Sequence, residues 1–226
     1  MTKINREPGE EPQEEPQEEP NQESQSDLLF LPDLFASEPK SRLIGLYGEV
    51  NEDRCKAAAS GLYYFRDTGI VEETIESEED EEVVIKTSYL PIDFMISTQG
   101  GSVPDMFALY DSMRDVRRDC EINTFGIGRV MSAGVLILAG GTRGKRKVGR
   151  HCRLMLHAIA GGQYGSLKEL EVDLKEVKWY QTQYIKALAG ETNLTEKQIR
   201  AIFRKKTDTY FDAEQAVKWG IADEII

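Results

Sequence analysis

Three residue types in one order, Ser132, His157 and Asp208, are candidates for the parts of an acyl-transfer site. A hydroxyl would attack, an imidazole would take its proton, and a carboxylate would orient the imidazole. Ser132 stands between a glycine-punctuated run, Gly126-Ile-Gly-Arg-Val-Met131, and an apolar run, Ala133-Gly-Val-Leu-Ile-Leu-Ala139. A strand, a tight turn and a helix start would set the hydroxyl beside backbone N–H groups at the positive end of the helix. The N–H groups of Gly101 and Ala133 are the expected oxyanion donors. Each residue also has a plainer reading. Ser132 fits a helix cap or a packing spacer, His157 a hydrogen-bonded strand-end residue, and Asp208 a surface turn acid. Asp212 with Gln215 already supplies the cap of the last helix, which leaves Asp208 without a capping duty.

Other chemistries find less support. The two histidines, His151 and His157, and the three cysteines, Cys55, Cys120 and Cys152, lack metal-ligand spacing, so no metal or cofactor is expected. Gly144-Lys145 resembles a phosphate loop only superficially, because Arg146 occupies the place of the magnesium-binding Ser or Thr. It reads as a basic turn, and the chain itself is expected to bind no ATP.

The chain has 226 residues, of which 40% are hydrophobic, enough for one domain with a substantial core. Its formal charge of -12 is unevenly placed. Residues 1–27 hold nine acids and two bases, and residues 72–82 hold eight acids and no base. The remainder is close to neutral, with no basic footprint for nucleic acid and no basic helix for a membrane surface. Widely spaced, odd-numbered cysteines suit buried thiols in a reducing compartment. With no signal-peptide pattern and no apolar run of about 20 residues, a cytoplasmic protein is expected.

The elements that must position the site follow from pattern. Residues 1–27, with a repeated Glu-Glu-Pro-Gln motif, are expected to form an acidic disordered tail ahead of a folded domain over 28–226. Leu28 to Phe35 is an apolar knot that needs a cover, such as a neighbouring subunit. Arg42 to Val50 reads as a buried strand, and Asn51 or Asp53 starts a helix reaching about Phe65. An acidic excursion over 67–89, surface-lying and hairpin-like, interrupts the pattern. Pro91 to Ser97 alternates as a strand and runs into Thr98-Gln-Gly-Gly101, where glycines would turn the chain. Ser102 with Asp105 makes a capping box for a helix whose Val103, Met106, Phe107, Tyr110, Met113 and Val116 read as core. Glu121 to Ile127 and Arg153 to His157 are strands. From Ser166 a long helix carries an apolar stripe at Leu167, Leu170, Leu174, Val177, Tyr180, Tyr184 and Leu188, suited to another subunit or to its own core. Thr195 with Gln198 caps the next helix, and the last one stops at Gly220.

Several of these segments together resemble the ClpP proteolytic subunits of the Clp proteases, across roughly residues 42–226. Thr98-Gln-Gly-Gly-Ser-Val103 is similar to that family's Ser-Pro-Gly-Gly-Ser-Val turn, and Leu109-Tyr-Asp-Ser-Met113 to its Ile-Tyr-Asp-Thr-Met helix. Met131-Ser-Ala-Gly134 resembles its Ala-Ser-Met-Gly nucleophile turn, and Met155-Leu-His157 with Gly161-Gly162 its Met-Ile-His-Gln-Pro-x-Gly-Gly segment. Asp208 with Phe211, Ala213, Glu214, Ala216, Val217 and Gly220 to Asp223 resembles its aspartate-bearing C-terminal signature.

The resemblance implies an α/β fold of crotonase-like, repeated strand-strand-helix units with a long oligomerisation helix. It also implies a serine endopeptidase acting through an acyl-enzyme on Ser132, with His157 and Asp208 completing the triad. Homo-oligomeric stacked rings would enclose the sites, and an AAA+ unfoldase partner would use ATP to feed unfolded polypeptide. The competing expectations are a non-catalytic or latent ring subunit, and a processing peptidase that works without an unfoldase. Five departures mark this chain: Ala133 stands for the usual Met, Ala158-Ile159 for Gln-Pro, Gln99 for the turn proline, the acidic tail for the axial-loop sequence, and the excursion from Asp67 to Tyr89 is longer than the family's connection.

Overall fold

The computed structural model describes residues 41–76, 83–161 and 164–226. The acidic tail, the Leu28–Phe35 knot, the tip of the acidic excursion and Gly162 lie outside the described residues. Residues Ser41–Ile226 make one compact unit.

Alternation builds the first strand, β1 (Leu43–Val50), which buries Ile44, Leu46 and Val50. Asn51 ends it and caps helix α1 (Glu52–Thr68), its side chain accepting from the N–H of Arg54. The excursion is an antiparallel hairpin of β2 (Ile70–Glu76) and β3 (Val83–Tyr89), whose described side chains are largely exposed. β4 (Ile92–Gly101) alternates as expected but does not turn at its glycines: Gly100 and Gly101 stay in the strand, paired with Glu49 and Val50 of β1. Close approach explains these two glycines. A Cβ on Gly101 would lie 2.2 Å from the Val50 carbonyl oxygen. Helix α2 (Val103–Val116) follows, capped by Ser102 accepting from Asp105 N–H; the expected reciprocal bond of a capping box is not among its contacts.

β5 (Ile122–Met131) runs four residues beyond the expected strand end at Ile127, up to the serine. Then come α3 (Ala133–Ala139), the short β6 (Lys147–Val148) and β7 (Arg153–Leu156). The long helix α4 (Leu167–Glu191) opens with a full capping box of Ser166 and Glu169, and α5 (Glu196–Phe203) with one of Thr195 and Gln198. β8 (Thr209–Phe211), α6 (Ala213–Lys218), capped by Asp212, and β9 (Glu224–Ile225) complete the order. No described helix is long and apolar enough to cross a membrane.

The main sheet is mostly parallel, in the order β1-β4-β5-β6-β9, with β7 also on β5 and β8 antiparallel on β7. Helices α1 and α3 pack against this sheet, and α2 packs against both helices. Phe94, Ile96 and Ile122 of the sheet and Leu62, Met106, Met113 and Leu138 of the helices are fully buried. Each such side chain contributes about 1.5–3 kcal/mol. The three cysteines are buried thiols, and burial, aided for Cys55 by nearby Asp105, pushes Cys55 and Cys152 up to about 11. The stripe of α4 divides: Tyr184, Ile185 and Leu188 are buried, whereas Leu167, Leu170 and Leu174 are exposed.

Buried ion pairs close the fold. Arg146, read from sequence as part of a basic turn, is 4% exposed. Its guanidinium donates to both oxygens of Asp223, at 2.9 and 2.6 Å, and to the backbone carbonyl of Glu191 at 2.7 Å. The distant Asp223 that draws Arg146 inward carries no local signal. The Glu191 carboxylate accepts from Tyr110 O–H and from Arg117, which also donates to the carbonyls of Gly140 and Gly141. Arg146 also donates to the Ala139 carbonyl at 3.3 Å, so two arginines satisfy the C-terminal carbonyls of α3. Burial opposes the ionisation of both acids, yet Arg146 with the Gly144 N–H for Asp223, and Arg117 with Tyr110 for Glu191, hold them below the usual carboxylate range.

Arg146→Met, which strands Asp223, should cost about 3–5 kcal/mol, read from the urea midpoint at pH 7. The depressed carboxyls contribute stability that is complete above their unfolded values near pH 4 and is lost as pH falls through their lower folded values. The urea midpoint should therefore drop with acidification below about pH 4, and less steeply in Asp223→Asn.

Candidate active site

Register brings the serine and the histidine together. β5 and β7 pair in parallel with Val130 opposite Leu154 and Met131 opposite Met155, and the Ser132 N–H donates to the Met155 carbonyl at 2.8 Å. The next residues of each strand leave the sheet on the same edge. There Ser132 Oγ lies 2.8 Å from His157 Nε2. The antiparallel β7–β8 ladder, with Leu156 opposite Thr209, then delivers Asp208 to the other side of the imidazole. Asp208 Oδ1 lies 3.7 Å from His157 Nδ1, within ion-pair range and beyond hydrogen-bond length.

Ser132 has φ 53° and ψ -119°, and it is the one non-glycine residue with positive φ among the described residues. Such a backbone costs about 1–3 kcal/mol and persists only when its surroundings impose it. Three contacts do so. Met155 holds the serine N–H, while the serine carbonyl accepts from Val135 N–H at 3.0 Å and from Tyr184 O–H at 2.9 Å. Tyr184 is a buried residue of α4 that stacks on Phe203 of α5, with centroids 5.8 Å apart. Burial pushes its phenol pKa up, so the hydroxyl remains a donor. Ser132 itself makes no side-chain cap bond, so its hydroxyl is not occupied by α3.

Gly100 fits against this turn. With φ 94°, it would place a Cβ 2.6 Å from Ser132 Cβ, 2.9 Å from the Met131 carbonyl and 3.2 Å from Ala133 N. Ala133 opens α3, so its N–H has no carbonyl partner within the helix. A cavity of about 280 Å³ adjoins the serine and the histidine and is lined also by Gly101 and Ala133, the two expected oxyanion residues. Val103 and Met106, read from sequence as core alone, line it too. So do Glu49 and Tyr184, which sequence reasoning did not assign to the site. Tyr184 offered no signal beyond its place in an apolar stripe, and the approach of Glu49 depends on the β1–β4 pairing.

A nucleophile within hydrogen-bond reach of an imidazole, a carboxylate behind that imidazole and backbone N–H groups beside the nucleophile are suited to acyl transfer. The mixed α/β architecture, with a mainly parallel sheet and several helices, agrees with the ClpP-type fold. The protein-family model for Clp protease matches residues 51–226, from the N-cap of α1 through Asp208 and β9, and the chain belongs to the Clp protease family, whose members are serine peptidases.

Proposed function

We propose that this chain is a serine endopeptidase that hydrolyses unfolded polypeptide through an acyl-enzyme on Ser132. The observation that carries the reading is the 2.8 Å approach of Ser132 Oγ to His157 Nε2 at a strained turn. With the Nδ1 proton facing Asp208, the unprotonated Nε2 accepts the serine proton as Oγ attacks the scissile carbonyl. The negative charge that develops on the carbonyl oxygen is met by the N–H groups of Gly101 and Ala133. Collapse of the tetrahedral species breaks the C–N bond, and the imidazolium returns the proton to the leaving amine. Water, deprotonated by the same His157, then releases the acid and restores Ser132. In the substrate complex Asp208 closes on Nδ1, holding the ring and stabilising its charged form.

The active form in this proposal is a homo-oligomer of stacked rings, joined through the exposed first half of α4, with an AAA+ unfoldase supplying substrate at the cost of ATP. Its chemistry uses no cofactor in this chain. Exposed Leu167, Val172, Leu174 and Trp179 support the subunit contact, because solvent contact at these positions favours association. The 3.7 Å gap at Asp208 favours one second reading, a latent ring subunit in its resting arrangement.

Treatment with a fluorophosphonate should label the protein at Ser132 alone, as located by mass spectrometry. Peptide turnover should fall about 10⁶-fold in Ser132→Ala and about 10⁴-fold in Asp208→Ala, with native mass unchanged. Equal turnover by Ser132→Ala would exclude the peptidase reading. Gly100→Ala, which drives a methyl group into the serine turn, should abolish labelling while the assembly persists in native mass spectra.

A further inference from the structure

Among the residues lining the cavity beside Ser132, Glu49 alone carries a formal charge at neutral pH apart from the titratable His157. It comes from β1, where a register shift after Gly48 sets Glu49 opposite Gly100. Its Cγ would lie 3.0 Å from a Cβ on Gly101, so the side chain runs along the glycine edge that borders the serine. The residue is exposed, and among the described residues no cation lies within ion-pair distance of its carboxylate. Arg54, the neighbouring cation, donates instead to the Glu49 backbone carbonyl at 3.3 Å and does not line the cavity.

Apart from the uncharged Gln99, the other side chains of the wall away from Ser132 and His157 are mainly apolar. Val103, Met106 and Met155 supply aliphatic surface, and the Tyr184 phenol is committed to the Ser132 carbonyl. An apolar wall with one carboxylate at its edge suits a long methylene stem that ends in a cation, as in Lys or Arg. It opposes an acidic side chain, whose charge would face that of Glu49.

We propose that Glu49 selects substrates with a basic residue on the acyl side of the scissile bond. The inference rests on the peptidase reading of Ser132. The acyl group left on the serine would then be that of a lysyl or arginyl residue, and polypeptide segments rich in Asp and Glu would be poor substrates. The selection is electrostatic at a partly solvated site, so it weakens with salt.

The test uses the purified full chain and three peptidyl diphenyl phosphonates that differ only in the residue at the acyl position, Lys, Leu or Glu. Rates of Ser132 modification are followed by intact mass. In the wild-type chain the Lys reagent should react at least tenfold faster than the Glu reagent. Normalised to the Leu reagent within each variant, that ratio should fall about tenfold in Glu49→Gln and invert in Glu49→Lys. Labelling of Ser132 with the same Lys to Glu ratio in all three proteins would overturn the role of Glu49 and leave the peptidase standing. No labelling of wild-type Ser132 by these reagents or by a fluorophosphonate would overturn both.

Discussion

The site hangs on the hydrogen-bonded ladder between β5 and β7. β5 has two partners in succession on one edge: Phe125 and Gly126 pair with β6, and Arg129 to Met131 pair with β7. The second pairing brings the ends of two strands to the same level, so that one residue past Met131 and two past Met155 face each other. β7 then accepts β8 on its other edge, and the antiparallel register carries Asp208 to the level of His157. Three residues far apart in the chain are thus aligned by backbone bonds that do not depend on their own side chains. A slip of one residue in either ladder would send the histidine or the aspartate to the opposite face.

Backbone registration leaves one cost, the positive φ of Ser132, and the surrounding packing absorbs it. Met155 fixes the turn from the sheet and Tyr184 from α4, while Gly100 makes room beneath it. The helix that follows the serine is held at its far end as well. Arg117 and Arg146 donate to its terminal carbonyls while their charges are matched by Glu191 and Asp223. The Ser132 turn therefore sits at the start of an apolar helix whose two ends are both anchored, one by strained backbone and one by buried charge.

Local pattern revealed what local forces decide. Asn51, Ser166, Thr195 and Asp212 cap the helices that their spacing indicates, and the alternation of Ile92, Phe94 and Ile96 makes a strand with those residues inside. Ser132, His157 and Asp208 stood out because their types fit one chemistry and their neighbours fit one family. Long-range partners left no such trace. Arg146 looks like a surface cation in Gly-Lys-Arg-Lys, and only the fold brings Asp223 to it. Gly100 and Gly101 look like a turn until β1 is placed beside them, and Tyr184 differs in no sequence-visible way from the other apolar members of α4. Glu49 joins the cavity through pairing of β1 with β4, which periodicity alone cannot specify.

The clamp between Arg146 and Asp223 spans 77 positions, and this separation orders events during synthesis. The ribosome completes Ser132 and His157 before it makes Asp208, and Asp208 before Asp223. For an interval the emerging chain holds a hydroxyl and an imidazole without the carboxylate that orients one or the clamp that secures the helix behind the other. Folding of this unit is correspondingly late and dominated by closure of long loops. On the proposed reading, a newly made chain thus lacks a complete triad until Asp208 has emerged and β8 has joined β7.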